Sequence, residues 1–186
     1  YSLAISGDVA LVGARLDNDK GTSSGSAYVF RWNGSTWIQE QKLFGSDEIA
    51  YDLFASSVAM DGNTAVVGAP CRDDKGADSG AVYVFRFNGS AWAQEQKLLA
   101  SDGASADLFG GSVSVSGNAI IVGAYQDTNE KGFKAGSAYV FRWNGSSWVQ
   151  EQKLLASDGA GADYFGYSVA ASGDVVVIGA YFDDDM

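Results

Sequence analysis

Histidine is absent from the 186 residues, and with it go the commonest general base and the commonest neutral metal ligand. A single cysteine, Cys71, allows no disulfide within the chain and leaves the redox compartment open. Proline occurs once, as Pro70. Cations are scarce: 12 Lys plus Arg stand against 23 Asp plus Glu, a formal charge of -11 that opposes a phosphate backbone and an anionic membrane surface alike. Nucleic acid is therefore excluded as a partner. No apolar run approaches the roughly 18 to 20 residues a membrane helix needs, so no membrane insertion is expected. A starting Met, a basic leader and a signal-peptide core are also lacking, and a mature product, a fragment or part of a longer chain is expected.

What the chain does contain is a core and many turns. Hydrophobic residues make up 46% and aromatics 13%, with 24 glycines, the composition of short strands joined tightly. It also repeats. Tyr28-Val29-Phe30-Arg31-Trp32-Asn33-Gly34-Ser35 returns as Tyr83-Val84-Phe85-Arg86-Phe87-Asn88-Gly89-Ser90 and as Tyr139-Val140-Phe141-Arg142-Trp143-Asn144-Gly145-Ser146, steps of 55 and 56. Gln39-Glu40-Gln41-Lys42-Leu43 keeps the same steps, and Gly13-Ala14, Gly68-Ala69, Gly123-Ala124 and Gly179-Ala180 give four copies of a third landmark. Such a period identifies a repeat architecture before any other feature is read.

Each repeat reads as four strands. The first runs near Ser57 to Met60 (Ser112 to Val115, Ser168 to Ala171), the second near Thr64 to Ala69 (Ala119 to Ala124, Val175 to Ala180). Apolar residues at neighbouring positions mark both as covered on two faces. Short turns at Gly7, Gly62, Gly117 and Gly173 join them. The third is Ala27 to Trp32 and its copies, the fourth Ser35 to Leu43 and its copies. Asn-Gly between them predicts a type I′ hairpin that sets Phe30 opposite Trp37 and Val29 opposite Ile38. The fourth strand, rich in Gln, Glu and Lys, suits an exposed edge. Four antiparallel strands per unit, polar only on the last, is the arithmetic of a β-propeller blade.

The fold class is thus all-β, with about 3.5 blades of four antiparallel strands in residues 1-186. Blade 1 covers about 1-53, blade 2 about 54-108, blade 3 about 109-164 and a half blade 165-186. Residue 1 aligns with Tyr167 and the chain stops in an acidic loop, so the blades that would close a ring are expected from further segments or from further copies of the chain.

At each inner-strand entry stand Asp52-Leu53-Phe54-Ala55, Asp107-Leu108-Phe109-Gly110 and Asp163-Tyr164-Phe165-Gly166, followed by Gly68-Ala69-Pro70, Gly123-Ala124-Tyr125 or Gly179-Ala180-Tyr181. In this alternation the chain resembles FG-GAP repeat proteins, whose integrin-α-like members form a propeller that is usually seven-bladed. It departs from the pattern where only one repeat keeps the Pro and Ala55 replaces a Gly. Physically, the Phe would anchor the blade core and Gly-Ala would let neighbouring sheets approach. The resemblance implies a secreted or cell-surface setting and a non-catalytic binding or structural module, acting in protein adhesion or in extracellular matrix or filament assembly. An accessory propeller of a larger hydrolase and a calcium-dependent carbohydrate-binding module are the alternatives. The integrin-type calcium loop is not carried over, because the corresponding connections here are the short glycine turns.

Candidate sites are acidic. Asp17, Asp19, Asp73, Asp74, Asp78, Asp127, Asp183 and Asp185 crowd the connections between second and third strands, where alternating oxygens before a Gly could wrap calcium, the one cofactor suggested. Solvated turn formers are the competing reading, and Lys20 and Lys75 oppose a cation. In a second set at spacing five, Asp47 with Asp52, Asp102 with Asp107 and Asp158 with Asp163, one acid of each pair is expected to cap a turn by accepting backbone N–H bonds, with ligand binding as the alternative. Asn33, Asn88 and Asn144 satisfy the N-glycosylation pattern at hairpin tips, and Trp32 and Trp37 could stack on a glycan. No nucleophile, base and orienting residue assemble from the sequence, so no enzymatic activity is expected.

Overall fold

The computed structural model describes residues 1–184, and among these every regular element is a strand. The first sheet holds β1 (Ser2–Ser6), β2 (Val9–Gly13), β3 (Ala27–Trp32) and β4 (Trp37–Leu43). The second holds β5 (Ser57–Asp61), β6 (Thr64–Ala69), β7 (Ala81–Phe87) and β8 (Trp92–Leu98), and the third β9 (Ser112–Ser116), β10 (Ala119–Ala124), β11 (Ser137–Trp143) and β12 (Trp148–Leu154). A two-stranded sheet of β13 (Phe165–Ser172) and β14 (Val175–Ala180) follows. Every sheet is an antiparallel meander in chain order. The innermost strands β1, β5, β9 and β13 pack side by side, so the sheets stand face to face as three propeller blades and a half blade in an open arc.

Burial follows the sequence pattern. β6 and β10 are buried at every position because a blade covers each of their faces, whereas β4 carries its polar run at the wet rim. Between blades 1 and 2, Val9, Leu11 and Val29 pack against Met60, Val67 and Phe85. Between blades 2 and 3, Val66, Val82 and Val84 pack against Val113, Ile120 and Phe141. Phe54 sits edge-on to Tyr83 at 5.4 Å, and Phe109 edge-on to Tyr139 at 5.4 Å and Phe141 at 5.9 Å. Each such pair adds about 0.5 to 1.5 kcal/mol beyond the area it buries. The Gly-Ala landmark is a contact point: a Cβ on Gly13, Gly68 or Gly123 would collide with the carbonyl oxygen of Ala55, Gly110 or Gly166 in the next blade.

The hairpin register differs from the sequence expectation. Phe30 faces Gln39 and Trp32 faces Trp37, rather than Phe30 facing Trp37, and the fourth strand starts at Trp37 rather than Ser35. Of the two turn residues only Gly34 takes positive φ, at 97°, so the central pair is Gly34-Ser35. That is the II′ pattern, which asks for Gly at its first central position. Asn33 enforces it, since its Oδ1 accepts the N–H groups of Ser35 (3.0 Å) and Thr36 (2.9 Å). A bulge between Val29 and Phe30 then puts Val29 opposite Gln41. The aromatic pairs that form are therefore Trp32–Trp37 at 5.7 Å, Phe87–Trp92 at 5.5 Å and Trp143–Trp148 at 5.6 Å.

Candidate functional site

The chemistry of this chain is concentrated where one blade meets the next. Gln41 clamps the backbone of Trp92, accepting its N–H and donating to its carbonyl oxygen, both at 2.8 Å. Gln96 does the same to Trp148. Gln94 accepts the Ser46 N–H and donates to its hydroxyl, and Gln150 treats Ser101 in the same way. At the other end of the inner strands the turn N–H groups of Gly62, Gly117 and Gly173 donate to Ser6, Asp61 and Ser116 of the preceding blade. The polar fourth strand thus reads the neighbouring backbone as well as facing water.

The acid pairs at spacing five divide by position. Asp52, Asp107 and Asp163 are buried and accept the N–H groups of Ile49, Ala104 and Ala160 at 2.8, 2.7 and 2.6 Å, the turn-capping role expected of them. Asp47 and Asp102 reach into the next blade instead. The Tyr83 hydroxyl and Lys97 donate to Asp47 at 2.8 and 2.7 Å, and Tyr139 and Lys153 donate to Asp102 at 3.0 and 2.6 Å.

The carboxylates singled out as calcium candidates turn largely to cations of the chain itself. Lys42 lies 2.8 Å from Asp17 and 2.5 Å from Asp19, Lys97 lies 2.5 Å from Asp74, and Lys153 lies 2.9 Å from Asp127. Asp73 accepts the N–H of Asp78 at 2.8 Å and so closes its own loop. Asp183 makes an interaction of its own, and Asp185 lies outside the described residues. Among the described residues no three Asp, Glu, His or Cys side chains gather as a metal site. The sequence reading missed the lysines of the Gln-x-Gln-Lys strand as the counterions of these loops. Their shared step of 55 and 56 with the acid loops was the available signal. Lys20, weighed there instead, stacks on Phe44 at 5.1 Å.

These contacts set the acid response. Hydrogen bonding from Lys42 holds the Asp17 carboxyl far below the usual carboxylate range, with Tyr28 and Ser26 adding to it against the cost of burial. For Asp47 and Asp102 burial pulls upward, but Lys97 and Lys153 outweigh it and the net shift is down. For Asp52 and Asp107 burial dominates and the net shift is up. A depressed carboxyl stabilises the fold above its unfolded value, 3.8 for Asp17, and that contribution is lost as the pH falls through the folded value. A raised one acts oppositely. The melting temperature is expected to rise slightly from neutrality to about pH 5 and to drop steeply below about pH 4. Asp17→Asn should shrink the acid limb. A melting curve of unchanged shape in that variant, followed by circular dichroism, would refute the assignment.

The hairpin tips stand clear of this seam. Asn33, Asn88 and Asn144 are exposed, each with its Oδ1 accepting the hydroxyl of the Ser two residues on. Trp32 packs on Trp37, and both remain partly open to solvent. Where the entries of the innermost strands converge lies a hollow of about 300 Å³, lined by residues that flank the first three sheets and by Tyr167 of the fourth. Cys71 is on its wall. Burial, with Asp78 beside it, pushes its thiol up to about 12, so it is protonated and a poor nucleophile at neutral pH.

Blades of this meander topology, seated through Phe and Gly-Ala contacts and sewn by glutamine clamps, define the chain as a β-propeller repeat protein. The FG-GAP repeat family matches residues 1–30, 37–85, 92–141 and 148–186, and the chain belongs to that family. The matched stretches break at the hairpin tips, so each later unit begins at a fourth strand and crosses into the next blade. The sequence unit is therefore the junction. No curated protein matches the chain. Among solved structures it is similar to the crystal structure of Saccharomyces cerevisiae Sqt1, at 12% identity and a TM-score of 0.48, over 86% of this chain and 35% of that one.

Proposed function

We propose that the chain is a non-catalytic binding module of a secreted or cell-surface protein, working in adhesion or matrix assembly by docking further blades or partner proteins on its blade faces. The observation that carries the reading is the outer face of blade 1. Leu3 and Ile5 are 63% and 58% exposed there, and Trp37 is 43% exposed where its counterparts Trp92 and Trp148 are 3% exposed under Gln41 and Gln96. Exposed apolar residues gathered on one blade face mark an interaction surface. The face has the chemistry of the two interior junctions, including a free strand-four backbone for a glutamine to clamp. At the other end of the arc Val175 and Val177 are both 64% exposed.

Light scattering on the 19.5 kDa chain tests this. A mass above 19.5 kDa that grows with concentration is expected, and Ile5→Asp should return it to the monomer. A monomer at every concentration would sink the proposal. The reading calls on no cofactor, and glycans at Asn33, Asn88 and Asn144 would sit at the rim, away from the docking face.

A further inference from the structure

The hollow at the convergence of the inner strands lies apart from the glutamine clamps of the blade junctions, and on its wall Tyr125 of blade 3 meets Tyr167 of the half blade edge-on at 5.2 Å. Its walls come from equivalent places in successive blades: Tyr1 and Ser56 precede β1 and β5, while Arg15, Pro70 and Tyr125 follow the strands β2, β6 and β10. Tyr167 contributes from β13.

Arg15 sets the chemistry. Of the five arginines, Arg31, Arg72, Arg86 and Arg142 are each within 3.3 Å of a carboxylate, and Arg15 alone has no carboxylate partner among the described residues. Its guanidinium lies over the ring of Tyr1 at 3.8 Å. Stacking uses the face of the guanidinium and leaves its planar fork of N–H donors free, the geometry that receives a carboxylate through two bonds. No Asp or Glu lines the hollow, although the chain carries 23 of them. An anion is repelled by most of this surface, and in the hollow it meets a guanidinium with no carboxylate in the lining.

The remaining walls choose among anions. The hydroxyls of Tyr125 and Tyr167 can exchange hydrogen bonds with a polyol, the Ser56 hydroxyl, which donates to the Leu53 carbonyl at 2.8 Å, can accept one, and Leu53 and Leu108 offer an apolar floor. With no carboxylate in the lining, an ammonium group finds no partner, which disfavours amino acids and basic peptides. A single charged side chain in the lining also suits a single negative charge better than a phosphate. The volume is at the lower end of ligand pockets, about 300 to 1,000 Å³, the scale of one sugar residue.

From these observations we infer that the hollow is a binding site for a sugar acid of the hexuronate class. The carboxylate pairs with the Arg15 fork, the ring hydroxyls bond to the tyrosine and serine hydroxyls, and the C–H face of the ring rests on Leu53 and Leu108. The site is independent of blade docking, and either proposal can fail without the other.

Titration of the chain with D-glucuronate, followed by calorimetry or NMR, tests it, with D-glucose as the uncharged comparison. Saturable binding is expected in the millimolar range, the scale for a ligand of about 13 non-hydrogen atoms. Glucose should bind at least about tenfold more weakly, the loss of one charge-assisted pair. Arg15→Gln should bring glucuronate down to the level of glucose with an unchanged melting temperature, and Arg142→Gln, on an outer strand, should leave binding intact. Equal affinity for the two sugars, no saturation up to about 50 mM, or unchanged binding by the Arg15→Gln protein would each overturn the assignment.

Discussion

Replacing Gly68 by alanine is expected to cost about 3 kcal/mol or more, the upper part of the range for forcing atoms into a packed interior. The added methyl would collide with the carbonyl oxygen of Gly110 in blade 3 and with the hydroxyl of Ser57 in its own blade. A side chain tip could swing away, but the carbonyl belongs to the strand entry that Phe109 anchors. The Ser57 hydroxyl donates to the same oxygen at 2.7 Å, so relief of the clash also breaks that bond. Blades 2 and 3 would have to separate, exposing the cluster around Val66, Val82 and Ile120. Gly145→Ala is the informative comparison. That glycine sits at a hairpin tip with open space around it and a φ of 100°, so alanine there meets only the backbone strain of the positive φ that the II′ turn asks of Gly, about 1 to 3 kcal/mol. Urea unfolding should rank Gly68→Ala well below Gly145→Ala in midpoint. The reverse order would show that the Gly-Ala element is not a contact between blades.

This pair of glycines also shows what could be read in advance. The blade count, the strand order and the covered inner strands followed from period, turn residues and apolar runs, because these features are local or repeat locally. The close approach of Gly68 to the next blade was expected from residue size alone. The hairpin register was not, since Asn-Gly fits a I′ turn as well as it fits an Asn that caps a Gly-Ser II′ turn. The choice depends on where the Asn33 side chain finds donors. The bulge opposite Val29 is equally silent in sequence.

The site divided along the same line. Turn capping by Asp52, Asp107 and Asp163 is a contact three residues long, and recurrence showed that one acid of each pair would make it without showing which. The partners of Asp47 and Asp102 lie 36 to 51 residues away. Only the three-dimensional seating of one blade on the next brings Tyr83 with Lys97, or Tyr139 with Lys153, to those carboxylates. Arg15 was hidden for a related reason: its significance is the lack of a carboxylate neighbour, and a sequence shows residues, not who stands beside them.

Truncating the other half of the motif, Phe109→Ala, should cost about 3 to 5 kcal/mol, the usual loss for a fully buried aromatic. Phe109 is 1% exposed, lies edge-on to Tyr139 and Phe141, and belongs to the cluster that joins blade 2 to blade 3. Its backbone is fixed as well: the Phe109 N–H donates to the carbonyl of Ser79 at 3.1 Å, so the ring cannot slide to close the void. Phe109→Leu keeps most of the volume and loses the edge-to-face contacts, so a smaller cost of about 1 to 1.5 kcal/mol is expected. Phe165, the same residue in the half blade, is only partly buried and packs beside Val169 and Ile178, without the outer strands that surround Phe109. Phe165→Ala should therefore destabilise less than Phe109→Ala. Stability in stacked repeats depends on the junctions each unit makes, so the same Phe should matter in proportion to the blade that closes over it. Chemical unfolding of the three variants checks the order Phe109→Ala, then Phe165→Ala or Phe109→Leu, and equal losses at positions 109 and 165 would show instead that the phenylalanine acts within its own strand entry.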